Sequence, residues 1–129
     1  MSEESTEENT LKKYGISFQQ KTLYVLATNK SFLAQTLDIL DVNYWESESG
    51  RWVCKHIIEY FNQYKDVPTL DFFKTKLSSV LIPSLQKAIL SELKSIFADV
   101  SKATDLNFVK DEFLTFCKNQ KLKTAILAS

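Results

Sequence analysis

The chain has 129 residues but only two glycines, Gly15 and Gly50, and two prolines, Pro68 and Pro83. That scarcity constrains the fold more than any motif does. A β sandwich or barrel reverses direction about every 8–12 residues and draws heavily on Gly and Pro to do so. A chain this poor in both must run in long helices with few tight turns. The apolar residues agree, because they recur three and four apart rather than two apart. The predicted fold class is all-α. The length fits one domain, and a chain of about 150 residues can hide roughly 70% of its unfolded surface, enough for a real core.

The opening MSEESTEENT holds four glutamates and no base, which predicts an acidic flexible tail over residues 1–11. Gly15 marks a break. Ser17 and Gln20 have capping-box spacing, predicting a helix over 17–28 with Phe18, Thr22, Val25 and Leu26 inward. A second helix is expected over 30–40, around Phe32, Leu33, Leu37 and Leu40. "DVNYWESESG" lacks a helical period and reads as a loop, with Ser47 or Ser49 available to cap a helix over 49–64. That helix carries a stripe of Trp52, Val53, Ile57, Ile58, Phe61 and Tyr64. Pro68 forces a break, and Thr69 caps a short helix over 69–79 with Leu70, Phe73 and Leu77 inward.

The last third predicts two long helices, over 83–101 and 105–127, joined by "SKATD". Pro83 suits a first turn, where its missing N–H costs nothing. So short a connection implies an antiparallel pair, each helix reaching roughly 30 Å. The expected architecture is therefore a compact helical head, 12–80, followed by a long antiparallel helical hairpin, 81–129. The chain stops at "KTAILAS" in mid-pattern, as an N-terminal fragment of a longer protein would.

Chemistry is excluded more easily than assigned. There is no GxxxxGK[ST] and no GxGxxG, so no backbone loop cradles a phosphate. His56 is the only histidine and points away from Cys54, two residues earlier on the same helix. The carboxylates Glu46, Glu48, Glu59, Asp66 and Asp71 form no spaced acid/base pair. No catalytic, cofactor-binding or metal-binding residue is expected. The two cysteines, Cys54 and Cys117, sit in apolar helical patterns and read as buried thiols of a reducing compartment. No apolar run reaches the length of about 18 residues that a membrane span needs. Beyond the tail the chain has an excess of four positive charges, a weak signal for nucleic acid, and Arg51 is the only arginine.

Trp45 and Trp52 are the only tryptophans, and they bracket a polar run containing Gly50. Stacking on a single-stranded nucleic acid would need interleaved cations, so core packing is the better reading of these and the other aromatics. In the hairpin, Leu85, Ile89, Leu93 and Ile96 can fill the seam, while Leu90, Phe97, Leu114 and Leu122 fall on other faces. Surplus apolar surface of this kind marks a protein interface or packing back on the head.

The stretch from "SFQQKTLYVLATNKSFLAQTLDILDVNYWESESG" through "RWVCKHIIEYFNQYKDVPTLDFFKTKL" resembles the N-terminal domain of DnaB-type replicative helicases, especially those of T-even-like phages. The likeness rests on order and spacing: "FL" after a short break, "ILDVNYW", "GRWVCKHIIEYFNQY", then Val-Pro-Thr. It covers residues 17–77 well, and the hairpin fits in kind and position. "FCKNQKLKTAIL" looks like the stretch leading toward a linker and an ATPase domain. The resemblance implies a collar and oligomerisation domain that scaffolds a hexameric ring during DNA replication. Its partners would be further copies of itself, as a dimer or trimer of dimers, with primase and a helicase loader. DNA would be met only indirectly, and ATP and Mg would belong to the ATPase domain alone. The compartment implied is the cytoplasm, that of the bacterial host if a phage encodes the chain. The homo-association surface would come from Leu85, Ile89, Leu90, Leu93, Phe97, Phe113, Leu114 and Cys117, with Tyr44, Trp45 and Trp52 as structural anchors. A stand-alone helical adaptor that binds a replication protein is the alternative, and a DNA-binding helical protein with a steep salt slope is a third class.

Overall fold

The computed structural model describes residues 9–128, and over that range it is all-helical with no strand. Six α-helices follow in order: α1 (Ile16–Thr28), α2 (Lys30–Thr36), α3 (Glu48–Tyr64), α4 (Leu70–Leu77), α5 (Pro83–Phe97) and α6 (Leu106–Ala128). Short 3-10 turns lie at Leu11–Tyr14, Leu37–Ile39, Val42–Tyr44 and Val100–Ala103.

Local chemistry explains most boundaries. Asn29, Ser47 and Thr69 each turn a side-chain oxygen onto a free N–H of the following helix, satisfying an otherwise orphaned donor. Of the two serines available for α3, Ser47 is the cap, and its Oγ accepts from Gly50 N at 3.0 Å. Gly50 has no room for a side chain there: an added Cβ would lie 2.9 Å from Ser47 Oγ and 3.3 Å from Trp45 Cβ. α3 ends at Lys65, which takes the left-handed conformation (φ 56) and donates its N–H to Phe61 O at 2.8 Å. The capping box expected from Ser17 and Gln20 does not form. α1 starts one residue earlier, its N-cap is Gly15, and no side chain caps it. The helix expected over 30–40 tightens into a 3-10 turn after Thr36, whose hydroxyl donates back to Phe32 O and Leu33 O. α5 stops at Phe97 rather than near 101, because Asp99 caps a separate 3-10 turn.

α1 is the hub. It packs against α2, α3, α5, α6, the leading 3-10 turn and the turn before α6. Phe18, Gln19, Thr22, Leu23, Val25, Leu26 and Ala27 are all buried, so it is covered on more than one side. The all-helical class expected from the sequence holds, while the hairpin arrangement is not confirmed. α5 packs mainly on α3 and α1, and α6 mainly on α1. Ile89, Leu93 and Ile96 of α5 and Val109, Phe113, Phe116 and Cys117 of α6 join the same apolar cluster as α1–α3. The head and the last two helices share one core.

The tail boundary also shifts. Residues 1–8 lie outside the described residues, but Leu11, placed at the tail's end by composition, is wholly buried. Tyr14 stacks on Phe18 at 4.4 Å and its hydroxyl donates to Glu112 at 3.4 Å, which ties this turn to α1 and α6. Conversely Tyr64 and Leu70, expected inward, are exposed, at the end of α3 and the start of α4. Leu11→Ala should therefore lower unfolding stability by about 2–5 kcal/mol. Urea denaturation followed by circular dichroism measures it, and a loss near zero would mean that the turn is not part of the core.

Candidate functional site

The residues predicted for an interface separate by burial. Ile89, Leu93, Phe113 and Cys117 are buried within the chain's own core, so they cannot meet a partner while the fold is intact. The physical reason is the hub: the apolar side of α5 lies against α1 and α3, and that of α6 against α1. Leu85, Phe97 and Leu114 are half-buried. Phe97 leans on Tyr24 and Phe73, with ring centroids 6.4 and 5.9 Å away. Leu90 is 43% exposed and is the one residue of the predicted set that faces solvent broadly.

The anchors divide as well. Trp45 is 1% exposed, and its Nε1–H donates to Gln19 O at 3.1 Å. Tyr44 is buried, with its ring edge-on to Phe116 at 5.0 Å and its hydroxyl donating to Ile39 O. Burial raises this phenol to about 12. Trp52 is only half-buried. Its ring lies tilted against His56, centroids 4.1 Å apart, and it packs on the core beside Phe73. His56 Nδ1 lies 2.9 Å from Trp52 O, the contact of a ring N–H with a carbonyl, and its Nε2 is 3.9 Å from Glu59. That histidine holds local structure.

A polar cluster that the sequence reading did not single out lies where the first turns of α1 and α3 meet the second half of α5. Gln19 is 4% exposed. Its Nε2 donates to Glu46 Oε2 at 2.7 Å and to Leu11 O at 3.4 Å, while its Oε1 accepts from Glu46 N at 3.2 Å. Arg51 Nη1 donates to the carbonyls of Trp45 and Glu46, both at 3.0 Å. Glu92 of α5 reaches across to α3 and α1, accepting from Ser49 Oγ at 3.2 Å and from the Gln20 side chain. Burial pushes the Glu92 carboxyl above the ordinary range, against the pull of those hydrogen bonds and of Lys102. Two cavities flank the cluster, of about 270 Å³ beside Glu46 and Glu92 and about 310 Å³ beside Glu48 and Ile82. Both are walled by Ser47. The signal was legible in part: Glu92 is three residues after Ile89 and four before Ile96, a charge inside an apolar stripe.

Among the described residues no His, Cys, Asp and Glu group could hold a metal ion, and no helix is long and apolar enough to cross a membrane. Burial pushes the Cys117 thiol up to about 12 and the Cys54 thiol upward too, which suppresses the nucleophilic thiolate. No family model, curated protein or solved structure matches the chain.

Two outcomes follow from these environments. Glu92 binds its proton more tightly folded than unfolded, so its contribution favours folding at acid pH. That contribution is lost as pH rises from the unfolded carboxyl range through the raised folded value. Glu92→Gln keeps hydrogen-bonding capacity without the charge. Its stability gain over the parent should be larger at pH 7 than at pH 4 in urea titrations, and an equal gain at both would contradict the burial effect. Cys54 and Cys117 should react with an aromatic disulfide reagent only as fast as the chain opens, and immediate reaction of either in the native protein would place it at the surface.

Proposed function

We propose that this chain is the N-terminal collar domain of a DnaB-type hexameric replicative helicase, a scaffold for ring assembly that docks primase or a helicase loader. The domain performs no chemistry itself. ATP and Mg belong to a separate ATPase domain, DNA is met only through the ring, and the setting is the cytoplasm of a bacterial cell, the host's if a phage encodes the chain.

The observation that carries the reading is surplus apolar surface on the outer sides of α5 and α6. Leu90 (43% exposed), Phe108 (58%), Leu122 (60%) and Ile126 (64%) are large, broadly exposed side chains, whereas 22 other apolar residues among those described are buried in one cluster. Exposed apolar area of this sort is covered in an assembly. The order of short motifs in residues 17–77 supplies the rest of the support. Homo-association through α5 and α6 then uses Leu90, Phe97 and Leu114 from the residues first considered, together with Phe108 and Leu122, in place of the four that the core consumes.

Light scattering on the purified chain tests this. The parent should run as a dimer or larger, and Leu90→Glu combined with Leu122→Glu should shift the mass to that of a monomer without loss of helical circular dichroism. A parent that is already monomeric at high concentration, or a mass that the double substitution leaves unchanged, would remove the reading.

A further inference from the structure

We propose that the segment 66–81, with α4 at its centre, is a hinged strap that opens as a unit while the rest of the chain stays folded, and that Phe73 is its latch. The inference does not rest on how the chain assembles.

Burial is where this segment differs from the rest. Every other α-helix holds at least three buried residues: seven in α1, three each in α2 and α5, six in α3, and Val109, Phe113, Phe116, Cys117 and Gln120 in α6. α4 holds one, Phe73, which is 1% exposed. No other side chain over residues 62–88 is buried. Val67, Phe72, Leu77 and Val80 pack against the core but stay partly exposed.

Polar ties are as sparse. The hydrogen bonds of the segment run mostly within it: Thr69 Oγ1 accepts from Phe72 N, Thr75 Oγ1 donates to Asp71 O, and Ser78 N donates to Lys74 O. Among the described residues one hydrogen bond links it to the rest of the chain, from Gln86 Nε2 to Leu77 O at 3.1 Å. The ion pairs of the described residues lie elsewhere.

Both ends suit a hinge. Lys65 takes the left-handed conformation that ends α3, and Ile82 is extended (φ −90, ψ 112) ahead of Pro83. Helical continuity is broken at each, so α4 can swing without unwinding its neighbours. α5 keeps its own hold through Ile89, Leu93 and Ile96.

The latch sits among aromatic rings. Phe73 lies beside Trp52 and Phe97, with centroids 6.4 and 5.9 Å away, and Phe72 is edge-on to Tyr60 at 4.8 Å. Opening withdraws both phenylalanines and turns that seam into an exposed face of Trp52, Tyr60 and Phe97. Segments with few buried apolar contacts open at a lower free energy than the whole fold. Here one side chain decides how much aromatic surface the chain shows.

Limited trypsin digestion of the whole chain, read by mass spectrometry, tests the strap. Lys74 and Lys76 of α4 are exposed, and so are Lys55 of α3, Lys87 of α5 and Lys118 of α6. Exposure alone does not give cleavage, which follows the population of the opened chain. Of these five lysines, Lys74 and Lys76 should be cut first in the parent. Phe73→Ala should speed those two cuts by about tenfold or more, while Lys55, Lys87 and Lys118 keep their rates. Phe73→Leu, which retains an apolar side chain, should fall between. Earlier cutting at any of the other three lysines in the parent overturns the proposal. So does equal acceleration at all five in Phe73→Ala, since α4 would then open only with the core. Unchanged cleavage in Phe73→Ala overturns it too, because the latch would lie elsewhere.

Discussion

The fold depends on one buried amide. Gln19 sits in the second turn of α1 with 4% of its surface exposed and joins three segments that are far apart in sequence. Its side chain holds Leu11 O before the helix and both the carboxylate and the N–H of Glu46 after the next two turns, while its own carbonyl takes the Trp45 indole N–H. A buried amide without partners would cost about 1–3 kcal/mol. Partnered this fully it is instead a register pin. It fixes where the loop before α3 crosses α1, and therefore where Trp45 enters the core and where Ser47 can cap.

The rest follows from α1 being wanted on several sides. A helix with a single apolar stripe makes one good contact, whereas α1 is covered by four helices and two 3-10 turns. α5 and α6 are drawn onto it, and their best apolar residues are spent there. The core closes over Phe113, Trp45 and Phe32, whose rings tilt against one another with centroids 5.7 and 6.3 Å from Phe113. Among the described residues no fully buried side-chain nitrogen or oxygen lacks a hydrogen-bond partner. The polar groups caught inside therefore specify one arrangement without a large penalty. The connection into α6 is held the same way: Asp99 accepts from the N–H and Oγ of Ser101 and from Lys102, and the Ser101 contacts lead in drawing its carboxyl down to about 2.

What remains outside includes Leu90 of α5 and Phe108, Leu122 and Ile126 of α6, all exposed, and two cavities that share Ser47 at the start of α3.

The sequence by itself determined the class and most of the helices. Scarce Gly and Pro with a three–four apolar period leave helices as the only way to bury the apolar residues, and the break before Thr69 and a serine cap at 47 or 49 were readable from side-chain chemistry alone. It also determined that Trp45 belongs inside. It did not determine which faces meet. Periodicity says that Ile89 and Phe113 are inward but not inward toward what, so an antiparallel hairpin and packing on α1 look the same until α1 is seen to be apolar on several sides. The capping box failed because Ser17 and Gln20 have the right spacing inside a helix that starts earlier. Leu11 was lost in an acidic stretch because one leucine carries no period. The polar cluster was invisible because Gln19, Glu46, Ser49 and Glu92 come together only when α5 crosses the start of α3. Only the tertiary structure could decide these, since each depends on contacts between segments that local propensity does not connect.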